Sequence, residues 1–185
     1  FSSRRRHTRY GTVTGVQTCA LPISNGNTLI AVISTRNNAQ NTVSSITQTG
    51  VSTWTRATQS TNTSGVTTEI WYAQSSGISN ASVTITLNQS STKSSAVVLE
   101  YNGILSYNPL DQVNNSFGNS ATAATGSITT TQANELLIGG VGLSSNGYSL
   151  SSITNSFVAV IDASSTNGTA TANARTDRKS TRLNS

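Results

Sequence analysis

Two short strings of aromatic and charged residues are the part of this 185-residue sequence best suited to touching a ligand, Trp54-Thr55-Arg56 and Glu69-Ile70-Trp71-Tyr72. Side chains alternate along a strand, so Trp54 shares a face with Arg56, and Glu69 with Trp71. In a hairpin, a register that sets Trp54 against Trp71 also sets Arg56 against Glu69, giving an aromatic pair and a charge pair at once. Turned to solvent, that surface would stack sugar rings on Trp54, Trp71 and Tyr72, with Arg56 and Glu69 for the hydroxyls. Turned inward, the indoles fill a core and the ion pair latches its margin. The inward reading is preferred, because large aromatics are buried on average.

Other chemistries find less to work with. A hydrolytic triad needs a base, and residues 25–176 contain no histidine and no cysteine. A Ser-Lys dyad would rest on Lys93, whose polar neighbours keep it solvated. Glu69, Glu100, Asp111, Glu135 and Asp162 could serve acid–base catalysis, but none sits in a recognisable motif, and no phosphate loop, dinucleotide fingerprint or EF-hand is present. The chain therefore reads as a non-enzyme without a cofactor. Calcium is the one metal its oxygen ligands suit. Asp111 with Asn108, Asn114 and Asn115 is the candidate cluster, against the commoner reading of an Asx-rich turn.

The formal charge of +5 and pI near 9.9 would suggest an anionic partner, but the charge sits at the ends. Arg4, Arg5, Arg6 and Arg9 put +4 before residue 24, residues 24–176 carry −1, and residues 177–185 carry +2. Those ends have a peculiar relation. Asp177–Ser185, written as GAT CGG AAG AGC ACA CGT CTG AAC TCC, has a reverse complement that translates as GVQTCALPI, which is Gly15–Ile23. Such DNA resembles a ligated sequencing adapter, so residues 1–24 and 177–185 are read as adapter-derived and non-native, with 1–24 unstructured. The basic tails then imply no nucleic-acid partner. Residues 25–176 are expected to be a domain fragment from a longer gene, truncated at both ends.

The elements that must position these residues are strands. Ser and Thr make up about a third of the chain, and charged residues only 9%, a composition that disfavours helices. No apolar run approaches the roughly 20 residues of a membrane helix, so no membrane insertion is expected. Thr28–Ser34 is a nearly continuous apolar run and reads as a central strand buried on both faces. Thr42–Gln48 is a Thr-rich edge. Ser52–Thr58 and Val66–Ala73 flank a turn over Gln59–Gly65, Ser82–Asn88 alternates, and Ala96–Tyr101 is a strongly apolar strand closed by Glu100-Tyr101. The stretch Asn102–Thr125 is irregular. Strands resume at Ser127–Thr131, Glu135–Leu143 and Phe157–Asp162, with a weak last strand in Thr169–Ala174. The expected fold is all-β, a two-sheet antiparallel β-sandwich of jelly-roll or immunoglobulin-like type.

In order along the chain, Gly26-Asn27-Thr28-Leu29, Trp54-Thr55-Arg56-Ala57, Glu69-Ile70-Trp71-Tyr72-Ala73, Glu100-Tyr101-Asn102-Gly103, Pro109-Leu110-Asp111 and Glu135-Leu136-Leu137-Ile138-Gly139 resemble a β-sandwich module of large secreted proteins of environmental bacteria. The resemblance implies architecture and an extracellular or cell-surface location, and no chemistry. The expected function is a non-catalytic spacer or adhesive module of a larger bacterial protein, its partners polysaccharide or neighbouring domains. Two alternatives stand beside it, a carbohydrate-binding accessory domain of a polysaccharide-active enzyme and a phage decoration or fibre domain.

Overall fold

The computed structural model describes residues 6–9, 21–37, 40–90, 93–132, 134–145, 147–148, 150–154, 157–164 and 171–180. Among them the regular elements are all strands: β1 (Arg6–Arg9), β2 (Leu21–Ile23), β3 (Thr28–Arg36), β4 (Val43–Gln48), β5 (Trp54–Thr61), β6 (Val66–Gln74), β7 (Ile78–Ala81), β8 (Val83–Leu87), β9 (Lys93–Tyr101), β10 (Asn134–Leu143), β11 (Val158–Ser164) and β12 (Thr171–Ser180). The protein is all-β and sandwich-like, with antiparallel pairing throughout. A five-stranded sheet, β1-β9-β3-β6-β5, forms the centre. The ribbon β4-β8 packs on one of its faces, and β10-β12-β11 covers the other.

Alternation along β3 explains this arrangement. Leu29, Ala31 and Ile33 enter one core with Val43 and Ile46 of β4 and Val83 and Ile85 of β8. Ile30 and Val32 point the other way, into a second core with Val97, Leu99, Tyr101 and Ala163, against which Leu136 and Ile138 of β10 pack. A strand with apolar residues at both parities has no face that tolerates water, so it must be covered twice. β9 has the same property, with Ala96 and Val98 in the first core and Val97 and Leu99 in the second. The sequence expectation for Thr28–Ser34 holds.

Glycines let β10 lie close on the central sheet. A Cβ on Gly140 would come 2.8 Å from Val32 Cγ1 and 3.3 Å from Ile70 Cδ1. One on Gly142 would meet Thr68 Oγ1 and, at 2.6 Å, Ser34 Oγ. The absent side chains are what allow backbone and neighbouring side chains to approach.

Several sequence expectations need correction. Ser127–Thr131 is not a strand: the Thr131 amide and hydroxyl both donate to Asp111, closing a loop instead of entering a ladder. The final strand is longer than expected and crosses residue 176, with Leu137 opposite Asp177 and Asn134 opposite Ser180. Within the leading segment expected to be unstructured, Arg6–Arg9 pairs with Val97–Glu100 of β9, and Leu21–Ile23 pairs with β7. An unpaired edge of a buried strand is a template for any extended backbone. Such pairing depends on the edge, not on side-chain identity.

The close approach of β10 gives a test. Gly140→Val should lower stability by about 1–3 kcal/mol through overpacking against Val32. Gly118→Ala, whose added Cβ has nothing within 4 Å, should leave the urea midpoint unchanged. Equal midpoints for both variants would mean that β10 does not rest on Val32.

Candidate functional site

The Trp54, Arg56, Glu69 and Trp71 side chains do come together, but not in the expected register. Trp54 lies opposite Ala73, and Arg56 opposite Trp71. A register shift between Arg56 and Thr58 then brings Gln59 opposite Glu69. Two local features set this register. The turn is shorter than expected, spanning 62–65, with the Asn62 side chain accepting from the Ser64 and Val66 amides and Gly65 at φ +74°. Gly65 also lies against the Asn37 carbonyl, where a Cβ would collide. The bulge at Ala57 then absorbs one residue and re-aims Arg56.

The result is a guanidinium shared among three groups. Arg56 Nη1 donates to Glu69 Oε1 at 3.0 Å and to Gln59 Oε1 at 2.8 Å, and its Cζ stands 5.6 Å from the Trp71 ring centroid. That last distance suits a cation–π contact. Glu69 is 1% exposed, and its second oxygen, Oε2, accepts from the Val43 amide at 2.7 Å. One carboxylate thus ties β6 of the central sheet to β4 of the covering ribbon. Trp54 is buried, and Trp71 is partly buried against the same core. Tyr72 points to the opposite face and packs against the second core. The exposed platform of Trp54, Trp71 and Tyr72 is therefore not assembled, and the inward alternative describes the geometry.

Burial pushes the Glu69 carboxyl above its ordinary value of 4.5, and the Val43 N–H and Arg56 pull it partway back. A folded-state value raised above the unfolded one means that this group's favourable contribution is complete below the unfolded value. It is lost as pH rises through the folded value. At neutral pH the buried charge is a cost that Arg56 offsets.

The other carboxylates serve structure too. Glu100, 5% exposed, accepts from the Ser24 amide at 2.9 Å and from Asn27 Nδ2 at 2.6 Å, pinning the turn that leads into β3. Asp162 has a side chain outside the described set. The side chains of the weaker calcium candidate, Asp111 with its neighbouring asparagines, make bonds within the loop and to the β5 edge. Asp111 Oδ1 and Oδ2 accept from Thr131 Oγ1 and N at 2.6 and 2.7 Å, while Asn114 donates to the Ser127 carbonyl and Asn115 to Thr58 Oγ1. Among the described residues no group of three or more His, Cys, Asp or Glu comes together. The Thr131 hydroxyl, then its amide, hold the Asp111 carboxyl below its ordinary 3.8. Desolvation, then nearby Asp111, raise Glu135.

Sequence reasoning missed the exposed aromatics of segment 102–132. This strap leaves β9, passes the end of β6, where Gln74 Nε2 donates to the Leu105 carbonyl at 3.1 Å, and then follows the outer edge of β5. Its bonds to that edge and to the 62–65 turn beyond it run through side chains. Asn115 Nδ2 donates to Thr58 Oγ1 at 2.8 Å, Ser60 Oγ to the Ser116 carbonyl at 2.9 Å, and Asn119 Nδ2 to Thr63 Oγ1 at 2.9 Å. Tyr107 is 86% exposed and Phe117 66%. A signal existed: both aromatics sit in a stretch with no strand alternation to bury them.

No family model, curated protein or solved structure matches this chain.

Two outcomes are expected. Arg56→Ala should cost about 2 kcal/mol at pH 7. That is below the roughly 3–5 of a fully enclosed pair, because the Arg56 side chain is 44% exposed. The deficit should shrink as pH falls toward 4.5, where Glu69 can accept a proton; a deficit independent of pH in denaturant titrations would refute the latch. Asp111→Ala should speed hydrogen exchange at the Thr131 amide while β3 amides keep wild-type protection. Its carboxyl is depressed, so in the wild type the same loosening should set in only as pH falls below about 3.8, the ordinary carboxyl value.

Proposed function

We propose that this chain is a non-catalytic β-sandwich module, a spacer or adhesive domain of a larger secreted or cell-surface bacterial protein. The observation that carries the reading is the commitment of its reactive side chains to scaffolding. Glu69, the most buried carboxylate among the described residues, joins two sheets through Val43 and is paired with Arg56. Glu100 fixes a turn, and Asp111 closes a loop. A general acid or base needs an oxygen facing substrate, and the hydrogen bonds made here direct those oxygens to the protein's own backbone and side chains.

The extracellular placement draws on the absence of cysteine between residues 25 and 176 and on the Ser- and Thr-rich composition. It draws as well on the resemblance carried by the Gly26–Leu29, Trp54–Ala57, Glu69–Ala73 and Glu135–Gly139 strings. A central sheet whose inner strands β3 and β9 are covered on both faces suits a spacer, because those strands are held by neighbours on two sides and by layers above and below.

A panel of chromogenic glycosides, esters and peptides tests the non-catalytic reading. Rates indistinguishable from the blank are expected for the full chain. Turnover that disappears in Glu69→Gln or Asp111→Ala, with the fold retained by circular dichroism, would overturn it.

A further inference from the structure

We infer that Asn102 is a self-modification site, its carboxamide converted to a carboxylate through attack by the Gly103 backbone nitrogen, with water as co-reactant. The inference does not depend on the function proposed above. It concerns the junction where β9 ends and segment 102–132 begins.

The chemistry balances without a cofactor. The Gly103 nitrogen gives up its proton to hydroxide and attacks Cγ of Asn102, forming a new C–N bond. The C–N bond of the carboxamide breaks, and the leaving nitrogen takes up a proton from water and departs as ammonia. A five-membered succinimide remains. Water then adds to one of the two ring carbonyls and the ring opens, giving aspartate or isoaspartate. Nothing is oxidised or reduced; one water is consumed and one ammonia released. The product carries a new negative charge, and the isoaspartyl form has an extra methylene in its main chain.

Ring closure asks three things of a fold. The asparagine must be open to solvent, the next residue must carry no obstructing side chain, and its amide must be free to swing toward Cγ. Among the described residues two Asn-Gly pairs, Asn25-Gly26 and Asn102-Gly103, meet the first two conditions alike. Both asparagines are exposed, and the two glycines stand at φ +77° and +76°. The third condition separates them. The Gly26 amide donates to the Ser75 carbonyl at 2.8 Å, which pins it just past the end of β6. Asn25 itself lies against Gly77, where an added Cβ would come 2.8 Å from the Asn25 nitrogen. Neither hold exists at the second pair. Among the described residues the Gly103 amide and the Asn102 side chain make no hydrogen bond, and a Cβ added to Gly103 would have nothing within 4 Å.

Asparagines that precede hydroxyl residues are held as well. Asn62 accepts from the Ser64 and Val66 amides, while Asn115 and Asn119 donate to Thr58 and Thr63. Asn108 precedes Pro109, which has no N–H to lose. Asn102 is therefore the position where reactive sequence and an unrestrained nucleophile coincide.

The test incubates the full chain at mildly alkaline pH and body temperature, in ordinary and in heavy-oxygen water, and follows each asparagine by peptide mapping with fragmentation. Asn146 and Asn167 also precede glycine but lie outside the described residues, and fragmentation scores them separately. In the folded chain Asn102 should convert about tenfold faster than Asn25, the weight of one amide hydrogen bond on a rate. Its product should hold one heavy oxygen, include isoaspartate, and form faster as pH rises. In urea, where nothing pins either amide, the two sites should convert at comparable rates. Asn102→Gln should abolish conversion at that position, because the longer side chain cannot close a five-membered ring, and should leave the melting curve of the protein unchanged. Equal rates at Asn102 and Asn25 in the folded chain would overturn the inference, as would an Asn102 that stays intact. Aspartate without isoaspartate would overturn it too, since water would then have attacked the side chain directly.

Discussion

A sheet with no solvent face is the constraint from which the rest of this architecture follows. β3 and β9 carry apolar residues at both parities, so each must be covered above and below. Fully burying a Val, Leu or Ile side chain is worth about 1.5–3 kcal/mol. Leaving either face open would forfeit that gain at every second position. The covering layers are unequal because the two faces differ. One receives the bulky indoles of Trp54 and Trp71 and is closed by the β4-β8 ribbon; the other receives β10, whose Gly140 settles directly against Val32 and Ile70. Spacing between layers is thus set residue by residue, large against a small ribbon, absent side chains against a larger sheet.

The same constraint accounts for the buried charge. The Val43 amide, at the first pair of the β4-β8 ladder, is directed to Glu69 of β6 and without it would lack this partner in a low-dielectric layer. An unmet amide there costs about 1–3 kcal/mol. Glu69 supplies the acceptor, but a carboxylate at 1% exposure brings a desolvation cost of its own. Arg56 offsets that cost from the sheet's edge, where its stem spans from water to Glu69 across the Trp71 ring. Polar and aromatic residues that resemble a ligand site in sequence are in this way demanded by an inter-sheet junction. The likeness is physical: both tasks need a charge held against an aromatic face.

What could be read from the sequence divides along the same line. Burial on both faces was legible at Thr28–Ser34, a nearly continuous apolar run, while Ala96–Tyr101 was legible as a strand and its second covered face was not. Glu135–Leu143 was legible as a strand, although nothing in the string ELLIGGVGL says which face its glycines press on; that requires knowing that Val32 and Ile70 lie beneath. The grouping of Trp54, Arg56, Glu69 and Trp71 was legible, and their register was not. Pairing by chemical complementarity assumes an uninterrupted ladder, and the bulge at Ala57 breaks it for reasons of twist and turn length that local sequence does not encode. Tyr107 and Phe117 escaped notice for the opposite reason: average burial of aromatics, a sound guide inside strands, fails in a segment that crosses a sheet edge.

That crossing bears on the stability of the sheet. β5 is the outermost strand beside β6, and an open edge invites pairing with other chains. The strap blocks it through side-chain bonds to Thr58, Ser60 and Thr63 in place of a ladder. Side-chain bonding leaves the strap free of strand geometry, which is why an αL residue can stand at Asn108 and bonds to Ser116 and Asn119 can fall out of step with the pleat. A guard of this kind has sheet on its inner side and no covering layer among the described residues on its outer side, so apolar residues that do not face the sheet are left in solvent. Protecting the edge and leaving Tyr107 and Phe117 in solvent are consequences of one placement.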